Sequence, residues 1–208
     1  MTGTDAPPEV QLRRAVVADA PRLAQLHAAR ISEGFLPSLG PRFLTRLYRR
    51  IACSAHGFAW VADAPTTETH DGGVVAFAAA ADDVRRLYRE FLVRDGIVAG
   101  VFAAAHIPRA WRRMIETLRY PSTTTDLPAA EVLAVATDTA AARRGNGALV
   151  LHAVTDELAR RGHEAVKVTV GPGNTGALRF YESCGFEPRA KIAVHGDAPS
   201  EVLVWTPH

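Results

Sequence analysis

The chain has 208 residues, of which 48% are hydrophobic and 22% are charged, and its net charge is +2. This composition is typical of one globular domain with a sizeable core, and so small a charge excludes a strongly basic nucleic-acid-binding protein. No run reaches the roughly 18 apolar residues of a membrane span, and the first residues lack the regions of a signal peptide, so we expect a cytoplasmic protein without a membrane partner.

The first part of the chain predicts a strand, two helices and two further strands. They are a strand over 10–19, helices over 18–31 and 41–52, and strands over 57–64 and 72–80. Asp19 is the predicted N-cap of the first helix, and Pro41 lies in the first turn of the second. Residues 1–8 are expected to be a disordered leader, and residues 9–208 a single domain.

The second part begins with a segment of helical pattern within residues 82–128. After it the chain predicts a strand over 130–138, a helix from about residue 147, a strand over 164–170, a helix over 175–184 and strands over 187–195 and 200–206. The residues predicted to form the buried face of the helix after residue 147 are Leu149, Val150, Ala153, Val154 and Leu158. The order of elements predicts an α/β protein with a mixed sheet and helices on both faces.

A pair of glycines, Gly145 and Gly147, lies between the strand over 130–138 and the helix that follows it. The first N–H groups of a helix have no intrahelical partner and carry a partial positive charge, so this position favours an anion such as a phosphate. Glycine lets an anion approach these amides closely, and Arg143 and Arg144 add two full charges. A glycine-containing turn without a ligand is the alternative interpretation.

Two common phosphate loops do not fit this sequence. A P-loop has lysine and then serine or threonine after its second glycine, where this chain has Ala148 and Leu149. A dinucleotide-binding loop has a third glycine three residues later, where this chain has Val150. The two cysteines, Cys53 and Cys184, lack the spacing of a metal site, so no metal is expected.

Residues 174–188 read NTGALRFYESCGFEP and contain the pattern N-x-x-A-x-x-x-Y-x-x-x-G-F. Together with the glycine loop, this pattern resembles the GNAT superfamily of N-acetyltransferases, whose members transfer acyl groups from acyl-CoA to amines. The superfamily's pyrophosphate loop is (Arg/Gln)-x-x-Gly-x-(Gly/Ala), which residues 142–147 match in register except at Ala142. The resemblance covers about residues 130–187. It implies a GNAT-like mixed, mostly antiparallel sheet flanked by helices, with residues 82–128 as a helical insertion before the fourth strand.

The resemblance also implies where acetyl-CoA, the expected co-substrate, would bind. The residues whose amides would hold its pyrophosphate are Arg143, Arg144, Gly145, Asn146, Gly147 and Ala148. Val135 and Thr137 would pair their backbone with the pantetheine arm, where their strand parts from the strand over 164–170, and Asn174 would bond the same arm. Arg143 or Arg144 would replace the side-chain contact to phosphate that Ala142 cannot make.

Two further residues take catalytic roles by resemblance. Tyr181 would protonate the leaving CoA thiolate, or alternatively would only pack its helix against the sheet. Glu131 matches in register the base glutamate of the superfamily's histone acetyltransferases. An amine is mostly protonated at neutral pH, so Glu131, or water ordered by it, would accept the proton before the amine attacks. An exposed carboxylate at the start of a strand is the alternative for Glu131.

The acceptor side is expected at the connection between the first two helices and at the insertion over 82–128. Glu33 would pair with an ammonium group, and Phe35 and Tyr88 would form an apolar wall, although ordinary loop and helix packing explains each of them as well. The insertion would serve as a lid or as the contact of a homodimer.

The sequence therefore predicts an N-acyltransferase that moves an acetyl group from acetyl-CoA to a primary amine, by direct transfer in a ternary complex. The acceptor is expected to be a small molecule. A protein or peptide N-acetyltransferase and a non-catalytic acyl-CoA-binding regulatory module are the two alternatives.

Overall fold

The computed structural model describes residues 10–31, 39–66, 72–95, 127–192 and 199–207. Within these ranges the chain forms seven strands and five α-helices. The strands are β1 (Gln11–Arg14), β2 (Gly57–Ala64), β3 (Gly73–Ala81), β4 (Glu131–Thr137), β5 (Val166–Val170), β6 (Glu187–Ile192) and β7 (Ser200–Trp205). The helices are α1 (Ala20–Arg30), α2 (Pro41–Cys53), α3 (Val84–Arg94), α4 (Asn146–Arg160) and α5 (Thr175–Ser183).

The strands form one sheet in the order β1-β2-β3-β4-β5-β7-β6. Every neighbouring pair is antiparallel except β4 and β5, which run parallel. The expected fold class, a mixed and mostly antiparallel sheet flanked by helices, is confirmed. The parallel pair places the ends of β4 and β5 at the same edge of the sheet, beside the starts of α4 and α5.

Helices cover both faces of the sheet because β3 alternates between two cores. Phe77 packs into a core built mainly from α1, α2 and α3, whereas its neighbour Ala78 packs into a core built mainly from α4, α5 and β5. We call these two sides of the sheet the α1–α3 face and the α4–α5 face. β3 is buried almost throughout, as expected of a central strand covered on both sides.

Three local expectations need correction. β1 has four residues rather than ten, because the backbone turns into a short 3-10 helix over Val17–Asp19. Asp19 precedes α1, but its carboxylate accepts the backbone N–H of Val16 at 2.7 Å rather than capping α1. Leu149 is 38% exposed, whereas the other four residues predicted on its face are buried. The buried arc of α4 includes Leu151, which leaves Leu149 at its margin.

The segment before β4 is described in part. α3 begins after Asp83, whose side chain accepts the backbone N–H groups of Arg85 and Arg86, and packs Leu87 and Phe91 into the core. The rest of the expected insertion, 96–126, lies outside the described residues, so the proposal of a lid or dimer contact stays a prediction. In the parts that the structure describes, no helix has the length and apolar character needed to cross a membrane.

Candidate active site between β4 and β5

The two parallel strands separate soon after they begin. Glu131 and Val132 are the β4 residues with register partners on β5, namely Lys167 and Val168. Farther along β4, Val135 and Thr137 pair with β3 and have no register partner on β5. The expected parting of these strands is therefore present, because the β5 side of β4 has no register partner beyond Val132. We call this gap between the two strands the cleft.

A β-bulge accompanies this parting. The register between β3 and β4 shifts so that Leu133 is an extra residue between Val132 and Ala134. As a result Leu133 and Ala134, neighbours in sequence, both pack against the α1–α3 core. A bulge bends a strand and increases its twist, and this one lies where the pairing of β4 with β5 ends.

The loop that follows β4 is anchored before it reaches the glycines. The Asp138 carboxylate accepts the N–H of Ala140 and caps a 3-10 turn over Thr139–Ala141. Arg22 of α1 donates to Asp138 at 2.6 Å and to the carbonyl oxygen of Val74 at 3.0 Å. These contacts fix the loop against both the sheet and the first helix.

The next residues turn the chain into α4. Arg143 has a φ of +61°, in the left-handed region that favours glycine, and Gly145 has a φ of +80°. Asn146 is buried, and its side-chain nitrogen donates to the carbonyl of Ala141 at 3.1 Å, which closes the loop from inside. Arg143 and Arg144 are exposed. The side chain of Asn146 thus stabilises the loop. The role predicted for Asn146 from the sequence, binding of the pyrophosphate, falls to its backbone N–H alone.

The start of α4 has the character of an anion site. The first intrahelical bond runs from Leu149 to the carbonyl of Gly145, so the amides of Asn146, Gly147 and Ala148 precede it. Gly145 has no side chain with which to cap them. A β-carbon on Gly147 would lie 3.2 Å from Oγ1 of Thr137 and 3.5 Å from the Phe180 ring, so this glycine lets α4 approach both β4 and α5.

α5 carries the second motif and lies beside the start of α4, where its Phe180 ring faces the first turn of that helix. Asn174 is its N-cap, and its side-chain oxygen accepts the N–H of Ala177 at 3.0 Å. Tyr181 is buried between Phe180 and Phe186, with ring centroids 5.2 and 5.4 Å away, and burial raises the pKa of its hydroxyl. The hydroxyl therefore stays protonated at neutral pH, as a proton donor requires.

Glu131 lies where β4 and β5 are still paired. One carboxylate oxygen lies 3.4 Å from Nζ of Lys167, and the other accepts the hydroxyl of Thr169 at 3.2 Å. Its side chain retains 19% exposure. Burial raises the pKa of Glu131, although Lys167 and Thr169 act in the opposite direction. A carboxyl group with a raised pKa is a better match for proton transfer near neutral pH than an ordinary surface glutamate.

The structure brings one of the three predicted acceptor residues to this site. Tyr88 of α3 is partly buried against the α1–α3 core, and its pKa is raised by burial and by the nearby charge of Glu131. Glu33 and Phe35 lie outside the described residues, so their role stays a prediction. In the described ranges no group of three or more His, Cys, Asp or Glu side chains is placed to hold a metal ion.

Lys167 and Thr169 were not among the site residues predicted from the sequence. They alternate with the buried residues Val166, Val168 and Val170, and that alternation places both on the other face of β5. A signal was present, because Lys167 is one of only two lysines in a chain with 24 basic residues counted as lysine plus arginine. Its pairing with Glu131 depends on strand register, which the sequence pattern did not give.

Comparisons with known proteins agree with this architecture. The family model described as "Acetyltransferase (GNAT) family" matches residues 42–186. No curated protein sequence matches the chain. A GCN5-related N-acetyltransferase from Kribbella flavida is similar in structure, with 17% identity, a TM-score of 0.60 and coverage of 96% of this chain and 98% of that one.

Two other solved structures share the fold. The ribosomal-protein-S18-alanine N-acetyltransferase from Escherichia coli has 14% identity and a TM-score of 0.55, over 95% of this chain and 93% of that one. NAA60 from Arabidopsis thaliana, solved in complex with acetyl-CoA, has 14% identity and a TM-score of 0.59, over 95% of this chain and 98% of that one. At these identities the likeness concerns the fold.

Proposed function

This chain belongs to the GNAT family of acetyltransferases, and from this premise we propose that it transfers an acetyl group from acetyl-CoA to a primary amine on a small molecule. The observation that carries the proposal is the cleft between β4 and β5, which opens beside the start of α4. The start of α4 lies beyond the end of β4, and the partly buried carboxylate of Glu131 lies at the beginning of that strand. Acetyl-CoA has matching chemistry, with a pyrophosphate at one end and a thioester at the other.

The pyrophosphate would bind at the start of α4. The amides of Asn146, Gly147 and Ala148 would donate to its oxygens, and the exposed Arg143 and Arg144 would add charge where the family's usual side chain is replaced by Ala142. The pantetheine arm would then run along β4, where Val135 and Thr137 lack partners on β5. The side-chain oxygen of Asn174 already caps α5. Its proposed bond to the arm would add to that role.

The reaction proceeds without a covalent enzyme intermediate in this proposal. Glu131 takes a proton from the ammonium group, directly or through one water, and frees the lone pair on nitrogen. The nitrogen bonds to the thioester carbonyl carbon, the carbon–sulfur bond breaks, and Tyr181 gives a proton to the departing thiolate. The second proton of the nitrogen passes, directly or through water, to the Tyr181 oxygen, which leaves a neutral amide and restores the phenol. Backbone N–H groups of β4 would stabilise the negative charge that develops on the carbonyl oxygen.

The acceptor end of the cleft favours a slender amine. The Glu131 side chain is only 19% exposed, and burial together with the nearby charge of Glu131 raises the pKa of the Tyr88 hydroxyl. We expect so small an exposed area on the carboxylate to favour an amine without bulky or branched neighbours to its nitrogen. An unhindered primary amine fits, and we propose that a small molecule carries it, with Glu33 and Phe35 contributing to its binding.

Two measurements test the proposal in sequence. Acetyl-CoA should raise the thermal stability of the protein, by about 2.7 kcal/mol at a hundredfold excess over its dissociation constant. Release of CoA thiol should then be followed with small primary amines and, separately, with peptides that carry free N-termini or lysines. Small amines should accelerate thiol release in proportion to enzyme concentration.

Each other outcome contradicts a defined part of the proposal. Faster release with peptides alone would identify a protein acetyltransferase. Binding without release for any amine would identify an acyl-CoA-binding regulatory module. Absence of stabilisation by acetyl-CoA and other acyl-CoAs would refute the cofactor assignment as well.

A further inference from the structure

The two lysines of the chain form two ion pairs of equal length in very different surroundings. Lys167 lies 3.4 Å from Glu131 with both side chains about one-fifth exposed, whereas Lys191 lies 3.4 Å from Glu201 with its own side chain 67% exposed. An exposed pair contributes little, because water screens it. A pair withdrawn from water interacts strongly, and loss of one partner leaves a charge that the surroundings do not support.

The position of Lys167 is fixed by the backbone. Lys167 and Glu131 are register partners at the start of the parallel pair, and the N–H of Lys167 donates to the carbonyl of Ala130 at 3.0 Å. Nζ of Lys167 also donates to the carbonyl of Pro128. The ammonium group therefore stands between a carbonyl oxygen and a carboxylate, and it has little freedom to leave.

The carboxylate of Glu131 is held from two sides. Thr169 donates to one oxygen and Lys167 lies beside the other. Among the described residues, the groups that face Glu131 are thus Lys167 and Thr169 from β5 and Tyr88 from α3. Lys167 is the single cation of this set, so it alone compensates the negative charge of the partly buried Glu131 carboxylate.

We infer that Lys167 is a positioning residue that holds Glu131 ionised and fixed against β5, ready to take the proton of the acceptor amine. The inference rests on the proposed function, because it concerns the base of that reaction. Without the lysine, the burial of Glu131 would lose its compensating charge and a larger fraction of the carboxyl would be protonated. A protonated carboxyl cannot accept the proton of the amine. In this pair, burial raises the pKa of Glu131 and the charge of Lys167 lowers it.

The test is a direct titration of Glu131, which needs neither acetyl-CoA nor an amine. Isotope-labelled glutamate carboxyl carbons are followed by NMR, with the Glu131 signal assigned by its loss in Glu131→Gln. In the wild type Glu131 should be ionised at neutral pH. Lys167→Gln, which removes the charge but keeps a polar side chain with N–H donors, should raise the proton affinity of Glu131 at least about tenfold. Lys167→Arg should restore the wild-type value, and Lys191→Gln should not change it.

Kinetics supply the second readout. The acid limb of the pH profile of kcat/KM for acetyl transfer should shift to higher pH in Lys167→Gln. It should lie at the wild-type pH in Lys167→Arg. A purely structural lysine would lower activity equally at every pH. Unchanged titration of Glu131 in Lys167→Gln would overturn the inference, and so would a wild-type Glu131 that is protonated at neutral pH.

The wild-type titration keeps the inference falsifiable even if Lys167→Gln does not fold. The two proposals also fail separately. If Glu131 responds to Lys167 but no amine is acetylated, the proposed function is wrong while the charge coupling stands. If amines are acetylated but Glu131 does not respond, the role of Lys167 is wrong.

Discussion

Gly147 and Thr137 stand so close together that a β-carbon on the glycine would lie 3.2 Å from the threonine Oγ1. This contact joins the first turn of α4 to the end of β4, on the side of the cleft where the pyrophosphate is proposed to bind. Packing against Thr137 therefore leaves little room for a side chain at this position, in addition to the access to the amides that the proposed site needs.

Gly147→Ala should therefore lower the free energy of unfolding by about 1–3 kcal/mol, because the added methyl group crowds Oγ1 of Thr137. Gly176→Ala is the matched control, since Gly176 is likewise the second residue of a helix but its β-carbon would meet only ordinary contact at 3.8 Å. That change should raise the free energy of unfolding by up to about 1 kcal/mol. Denaturant unfolding measures both, and equal effects would contradict the packing argument.

Tyr181→Phe should reduce kcat about a hundredfold or more while acetyl-CoA affinity stays nearly constant. The phenyl ring keeps the contacts with Phe180 and Phe186 and loses only the hydroxyl. Turnover with the best amine and calorimetric titration with acetyl-CoA give the two values. Wild-type turnover in the variant would assign Tyr181 to packing alone.

Glu131→Gln should also lower kcat about a hundredfold or more, because an amide cannot accept the amine proton. The loss should shrink as the pH rises and more of the acceptor is already deprotonated. Glu201→Gln, which alters the exposed pair with Lys191, serves as the control and should leave turnover unchanged. A constant loss at all pH values would argue against a base.

The double change Arg143→Ala with Arg144→Ala should weaken acetyl-CoA binding about fivefold or more at low salt, with a smaller effect at high salt. Both arginines are exposed beside the start of α4, so the fold should tolerate the change. The control removes two exposed cations from β6, Arg189→Ala with Lys191→Ala. If acetyl-CoA affinity is unchanged in the first variant, the amides at the start of α4 suffice for the pyrophosphate.

His27 should make the folded state sensitive to acid. Its Nδ1 lies 2.6 Å from the Tyr48 hydroxyl, its Nε2 is buried without a hydrogen-bond partner among the described residues, and burial lowers its pKa to about 4. The unfolded chain takes up the proton near pH 6.5, so the stability present above that value is lost as the pH falls toward 4. The loss from this residue should reach up to about 3 kcal/mol.

Unfolding by denaturant at several pH values measures this slope. His27→Gln should flatten it, whatever the variant does to stability at neutral pH. His152→Gln is the control, because the His152 side chain is exposed on α4. An equal slope in wild type and His27→Gln would assign the acid sensitivity to other groups.

The sequence predicted the order of elements and the two motifs because both depend on local patterns. The alternation in β4, the glycines before α4 and the spacing from Asn174 to Tyr181 are properties of short segments, and the structure places these segments around one cleft. Asp19 shows the limit of such reasoning, since its carboxylate turned to the Val16 N–H and to Arg13, which its helix-start position did not indicate.

Features that depend on distant segments were beyond the sequence pattern. The bulge at Leu133 arises from how β3 and β4 align, and a single extra residue leaves no mark in the alternation of one strand. The pair between Glu131 and Lys167 depends on a parallel register between residues far apart in the chain. The base candidate could be proposed from its resemblance, but the lysine that compensates its charge could not.

The short β4–β5 pairing has a consequence for cohesion. Only two register pairs connect the four strands on one side of the gap to the three strands on the other. By contrast, one hydrophobic core on the α4–α5 face spans both groups of strands and includes Val154, Leu158, Val168 and Leu203. We therefore expect side-chain volume in that core, more than strand hydrogen bonding, to set the distance between β4 and β5 in the cleft. Substitutions far from any substrate can thus tune the gap by swelling or shrinking its floor.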